Sequence, residues 1–233
     1  MREKPAPISW LQALVPVGFG WASMSLSIYV MVGLAWLTSQ LGISVSDAHP
    51  FIKSIVLAFM MAGGPEELTK LAFIILTVLL FRKTIRNVYE YVLIGAAVGI
   101  GFTIPKEIGY AQKTAAVWIR MLTLLGHMVY GMIMGKYLGI ARYNKLNNKP
   151  RFLQYVLAIL IPIILHTLYD ACTSGNLMLL SENSAESDTG ITLGLIATAA
   201  HFIIQFVILY LAKKDTEKHC EMALLEQSTQ KTA

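Results

Sequence analysis

Charge is scarce in this sequence. Asp, Glu, Lys and Arg make up 14% of its 233 residues, while apolar residues make up 55%. With repeated runs of about twenty apolar residues, that balance excludes an ordinary soluble domain and marks a polytopic membrane protein. Cysteine is scarce too. Cys172 and Cys220 do not make a disulfide framework, and Cys220, after a basic stretch expected on the cytoplasmic side, is not expected to pair. A cleavable leader is not legible. The first apolar run is long and lacks a small-residue cleavage pattern, so it reads as a retained span. No internal repeat is apparent. The net charge of +5 sits in short loops, where it reports orientation in a lipid bilayer rather than nucleic-acid binding.

What is present is a succession of apolar segments: Ile8–Leu41, 51–82, Val88–Tyr110, Ala115–Arg142, Phe152–Cys172 and Ile191–Leu211. The first is too long for one upright helix and is expected to tilt or to lie partly in the interface, with Trp10, Trp21 and Trp36 as anchors. The third is rich in small residues (Gly95, Ala96, Ala97, Gly99 and Gly101) that permit close helix contact. The expected fold is all-α, a polytopic transmembrane helical bundle of about six spans with a broken helix at Gly63–Pro65. Basic residues collect at Arg2 and Lys4, at 82–86, at 142–151 and after 213, while the links at 40–50 and 174–190 carry almost none. This asymmetry places both termini in the cytoplasm. Residues 1–213 read as a single transmembrane domain and 214–233 as a flexible cytoplasmic tail.

The segment Gly63-Gly64-Pro65-Glu66-Glu67-Leu68-Thr69-Lys70 interrupts an apolar run with two carboxylates and an ammonium. Such groups are expensive in lipid and are kept where they face a protein or water-filled interior, usually for function. Pro65 suits the first turn of a helix, and the two glycines let the backbone break before it. Glu66 and Glu67 then lie at the positive end of the helix dipole, and Lys70 is spaced to pair with Glu66 one turn on. A buried ion pair that only holds helices together is the plainer reading. It leaves the adjacent Glu67 without a partner.

Depth strengthens the functional reading. Counted at about 1.5 Å per residue from the basic boundaries, Glu66 and Glu67 lie roughly 22–24 Å up, His127 about 22 Å, His166 about 21 Å, Asp170 about 27 Å and Glu107 near 28 Å, with Lys106 just below. Independent accidents would scatter through the bilayer. Here four segments supply ionisable groups to one slab, slightly outward of the midplane. His166 and Asp170 share a helix face, a spacing that suits two metal ligands or an imidazole oriented by a carboxylate. His201, near 18 Å on the same count, reads as a packing histidine.

Together these segments resemble the PrsW family of intramembrane proteases, distantly akin to the CAAX-processing and bacteriocin-processing proteases. Glu66-Glu67-Leu68-Thr69-Lys70 is similar to the family's E-E-x-x-K element. Gly95 to Phe102 is similar to the small-residue run before its F-x-x-x-E element, Gly126-His127-Met128 through Gly135 to its histidine-bearing helix, and His166-Thr167-Leu168-Tyr169-Asp170 to its H-x-x-x-D element. The resemblance covers roughly 51–172. It implies an endopeptidase acting on membrane-associated proteins or peptides in a bacterial cell membrane, with anti-sigma factors among the substrates. One position departs from the pattern. Lys106 stands where the second element carries glutamate, and Glu107 follows one step later, about 100° round a helix. Pro105 could break the helix and restore the aim of Glu107.

On this reading the catalytic set is Glu66, Glu67, His127, His166 and Asp170, with Lys70, Lys106 and Glu107 supporting. Glu66 is preferred as general base, then acid, with Glu67 supporting or ligating and Lys70 holding Glu66 in place. His127 and His166 stabilise the oxyanion, and Asp170 fixes the His166 tautomer. No cofactor is certain from the residues, and zinc is the candidate. If a metal is present, it is zinc on His127, His166 and Asp170, with glutamate activating the bound water. The lack of a compact H-E-x-x-H signature favours the metal-free version. The rival from another class is an ion-coupled transporter, since intramembrane acids and histidines with a Gly-Gly-Pro break describe those too. A third reading, carried by Lys106, is a catalytically impaired relative acting as a binding protein.

Overall fold

The computed structural model describes residues 9–111, 117–173 and 188–224. Most of the expected 174–190 link, the basic start at Arg2 and Lys4, and the end of the chain from 225 lie outside the described residues. Within them the chain is helical: α1 Trp10–Gln40, α2 Pro50–Ala58, a π turn Phe59–Gly63, α3 Gly64–Leu80, α4 Val88–Ala111, α5 Val117–Leu146, α6 Phe152–Thr173, α7 Asp188–Lys214 and the short α8 Thr216–Glu221. Among the described residues, β pairing is confined to one antiparallel bridge, Asn87 with Ala223. Among the described residues, four helices are long and apolar enough to cross a membrane: Trp10–Gln40, Val88–Gly109, Phe152–Cys172 and Leu195–Lys214. The helical membrane bundle read from the sequence is therefore the fold.

The helix ends follow from local chemistry. Ser9 opens α1 with a capping box, its backbone N–H donating to Gln12 Oε1 at 2.9 Å while Gln12 N–H donates to Ser9 Oγ at 3.3 Å. Gly42, at φ 63°, closes α1. Its N–H donates to Ser39 O and that of Ile43 to Thr38 O, the paired bonds of a left-handed helix stop. Asn148, at φ 53°, does the same for α5 through Lys149 N–H to Asn144 O at 2.8 Å. The interruption expected at Gly63–Pro65 takes the form of a π turn that runs straight into α3. Gly63 and Gly64 both keep right-handed helical backbone. Their lack of side chains serves packing instead: a Cβ on Gly63 would strike Thr167 of α6. π turns of this kind are frequent at functional sites.

α4 is the central post. Of its most apolar stretch 56% is buried, against 17% for α1, 22% for α6 and 11% for α7. Small residues make that burial possible. Gly95 of α4 meets the backbone of Gly131 of α5, Gly99 meets that of His127, Gly135 meets that of Tyr91, and Gly20 of α1 meets that of α4 near Gly101. Without a Cβ the backbones touch, which brings His127 against α4. Gly131→Ala is expected to destabilise the protein by about 1–3 kcal/mol, because no side chain can yield where backbone faces backbone. Gly33→Ala, with nothing within 4 Å of the added carbon, should be neutral, and thermal unfolding in detergent compares the two.

The chain after α7 is not a free tail as far as Leu224. α8 turns back, and Leu224 N–H donates to Arg86 O at 2.7 Å. The Leu224 side chain joins Ile85, Val88, Leu71 and Ile74 in the buried cluster between α3 and α4. The expectation of a flexible segment from 214 is corrected to this extent: apolar burial and two backbone bonds outweigh the polarity of residues 214–221. Docking is sensitive to pH. A hydrogen bond from Lys136, at 3.2 Å, holds Asp215 below its usual carboxylate range, while burial, with the Lys136 charge nearby, pushes His219 below its ordinary 6.5. Both shifts have one sign: the unfolded segment binds more protons than the docked one, so docking weakens as pH falls from about 6.5. Amide exchange of residues 216–224, corrected for intrinsic rate, should be faster at pH 5.5 than at pH 7.5.

Candidate active site

The π turn delivers Glu66 and Glu67 to the first turn of α3. One step along a helix rotates a side chain by about 100°, so the neighbours part company. Glu67 is fully buried and accepts from Lys70 Nζ at 2.5 Å. Glu66 turns toward α4, where Lys106 Nζ donates to both its oxygens at 2.8 Å. The expected Glu66–Lys70 pair is therefore replaced by two others, Glu67–Lys70 and Glu66–Lys106. Glu67 is not unpartnered, and Lys70 does not hold Glu66. The reason is azimuth: Lys70 shares the buried face of Glu67, whereas Glu66 lies on the face toward Lys106.

α6 supplies the second half. His166 Nδ1 lies 2.6 Å from Glu67 Oε1, and its Nε2 lies 3.4 Å from Asp170 Oδ2 and 3.8 Å from Glu66 Oε2. A carboxylate beside each ring nitrogen fixes the orientation of the imidazole. α5 supplies His127, whose Nδ1 is 3.1 Å from Lys70 Nζ. The two imidazole rings meet edge to face at 5.2 Å. Phe102 of α4 is the platform under this network. Its ring lies 4.5 Å from Lys70 Nζ, 5.8 Å from Lys106 Nζ and 5.0 Å from the His127 ring, so its face stabilises both ammoniums away from water. Glu66, Glu67, Lys70, Lys106, His127, His166 and Asp170 thus meet in one cluster. Pro105 sits inside a continuous α4, and Lys106 is the α4 side chain that bridges to Glu66.

One donor atom each from Glu66, His127 and His166 lie within 4.8 Å of one another. A catalytic water or a metal ion would be held there. The carboxylate in this close set is Glu66; Asp170 lies beside it, on the same Nε2 side of His166, and Glu67 holds the ring from behind at Nδ1. Glu67 Oε2 is buried without a hydrogen-bond partner, a further acceptor left over in the same interior.

Sequence reasoning missed the uncharged part of the site. Tyr130 of α5 stacks on His166, centroids 5.3 Å apart, and its hydroxyl lies 3.3 Å from His201 Nε2. Tyr169 of α6 stacks on His201 at 4.1 Å. His201 is a packing histidine, but what it packs against is the back of the site. Each missed residue is three positions from a histidine already singled out and so shares its helix face.

The fold and this cluster define a class: helical membrane proteins in which α3, α4, α5 and α6 together bury acids, imidazoles and ammoniums in one network. A family model of the PrsW family intramembrane metalloproteases matches residues 7–212, and the chain belongs to that family. Among curated relatives it is similar to Protease PrsW of Halalkalibacterium halodurans, 31% identical over 127 residues that make up 53% of this chain and 55% of the relative. It is 33% identical to Protease PrsW of Shouchella clausii over 127 residues, 52% of this chain and 54% of the relative. The corresponding protein of Bacillus subtilis is 30% identical over 120 residues, 50% of this chain and 54% of the relative. The chain spans about half the length of the curated relatives it matches. No solved structure matches it.

Proposed function

We propose that this chain is an intramembrane endopeptidase that hydrolyses a peptide bond of a membrane-associated polypeptide. The observation that carries this reading is the convergence of Glu66, His127 and His166 within 4.8 Å, backed by Glu67 on His166 Nδ1. Glu66 is the general base. It lies at the more open side of the cluster, 12% exposed against 0% for Glu67, where water can reach it. It takes a proton from water as the water oxygen bonds to the scissile carbonyl carbon. Lys106 and the Nε2–H of His166, turned from Asp170 toward the substrate while Glu67 keeps Nδ1, donate to the oxygen that becomes negative. The proton on Glu66 then passes to the amide nitrogen as the C–N bond breaks, giving a carboxylic acid and an amine.

The family description implies a metal. Two imidazoles and a carboxylate at this spacing are a donor set that suits zinc. Glu66, His127 and His166 would hold it, with Glu67 orienting His166 from behind. The ion would supply Lewis acidity and a more acidic bound water. We prefer the metal-free form, because Lys106 and Lys70 already engage Glu66 and one nitrogen of His127. Termini facing the cytoplasm and an anti-sigma factor as substrate are part of the same proposal. One observation favours a second reading: Lys106 on Glu66, in place of the family's acid, would suit a relative that binds a polypeptide without cutting it.

Purified full-length protein in liposomes, given a panel of single-span peptides, tests the first reading. New peptide termini with no coupled ion movement support it. Proton or sodium flux without cleavage points to a carrier, and binding without cleavage points to the second reading.

A further inference from the structure

The structure assigns Gln205 of α7 as a docking group for the backbone of the polypeptide to be cut, an inference that rests on the peptidase reading. α7 is the least buried of the membrane-length helices. Among its described residues the buried ones are His201 and Gln205, one turn apart on one face and both polar. An apolar helix that turns its polar side chains inward presents them to something other than lipid. His201 has its partners in Tyr130 and Tyr169. Gln205 is 1% exposed, yet among the described residues neither its Oε1 nor its Nε2 has a hydrogen-bond partner.

Its place adjoins the reacting centre. A Cβ built on Gly126, the residue before His127, would lie 3.2 Å from Gln205 Nε2 and 3.4 Å from His201 Nε2. Gln205 therefore fronts the α5 backbone next to a site histidine, between α5 and α7. Hydrolysis requires that the substrate unwind around the scissile bond, and each N–H and C=O so released must find a partner in an interior without bulk water. A side-chain amide carries one acceptor and donors in a plane, the complement of a peptide unit's own N–H and C=O. Gln205 Oε1 accepts from the substrate N–H and Nε2 donates to its carbonyl. The absence of a protein residue on either atom is what such a role demands.

The test uses full-length protein in detergent with fluorescein-labelled casein, an unfolded polypeptide, as probe. Gln205→Met keeps the length of the side chain and removes the amide. We expect KM to rise about tenfold with kcat unchanged, the sign of lost uniform binding, and Gln205→Asn to recover part of the loss. Thermal unfolding of Gln205→Met should be unchanged or later, since no protein bond is removed. An unaltered KM, or a lowered unfolding temperature showing that the amide is already bonded, overturns the assignment while leaving the peptidase reading intact. Casein binding to the Glu66→Gln protein, read by anisotropy, separates the two claims. If the wild type cuts nothing, the peptidase reading fails. Docking at Gln205 is then supported by tenfold weaker binding on adding Gln205→Met, and overturned by equal binding.

Discussion

Glu66→Gln lowers turnover of a cleavable peptide at least about a thousandfold, within the range for loss of a general base, and leaves the helices in place. Glutamine matches glutamate in size and still accepts from Lys106, so the α3–α4 contact persists. What it loses is the ability to take a proton from water. Because Glu66 is partly exposed and its partner Lys106 is too, at 12% and 15%, the released ammonium can reach solvent, and the stability cost is small. The signature is therefore a large fall in kcat with KM and unfolding temperature little changed. An equal loss of activity and fold would move Glu66 from the chemistry to the scaffold.

Glu67→Gln reverses that pattern, with the larger effect on stability. Glu67 and Lys70 both have side chains with 0% exposure, and when the carboxylate is neutralised the ammonium is left with a ring nitrogen of His127 and the Phe102 and Tyr130 faces, none of them an opposite charge. Breaking a buried pair from one side costs about 3–5 kcal/mol, because the surviving charge is left uncompensated. Activity falls as well, through His166, which loses the carboxylate that orients its Nδ1. Replacing both partners, as Glu67→Leu with Lys70→Met, should recover much of the stability and none of the activity. Unfolding of the two singles and the double measures the coupling. Additive losses would show that the pair is not a unit.

The sequence makes the members of the site visible and conceals their pairing. Glu66, Glu67, His127, His166 and Asp170 stand out because ionisable groups in apolar runs are costly, and depth counting groups them before any contact is known. Which carboxylate meets which ammonium depends on rotation about helix axes, and spacing alone favoured Glu66 with Lys70, where the fold pairs Glu67 with Lys70 and Glu66 with Lys106. Rotation also brings Lys106 of α4 onto Glu66, with Pro105 accommodated within the helix. The uncharged members, Tyr130, Phe102 and Gln205, carry no cost signal in an apolar segment. Tyr130 and Gln205 are found only once His127 and His201 fix which faces look inward, whereas Phe102 is visible only through its family-like element. The docking of α8 is hidden for another reason: two apolar residues, Leu224 and the partly buried Met222, and two backbone bonds do what no periodic pattern announces.

Hydrolysis in water enriched in oxygen-18 tests the central claim most directly. Wild-type protein and the Glu66→Gln variant are incubated with the same single-span peptides, and the new carboxyl termini are weighed. The site described here predicts one heavy oxygen in the carboxyl terminus released by the wild type and no such product from the variant. Labelled product formed equally by both proteins would contradict it.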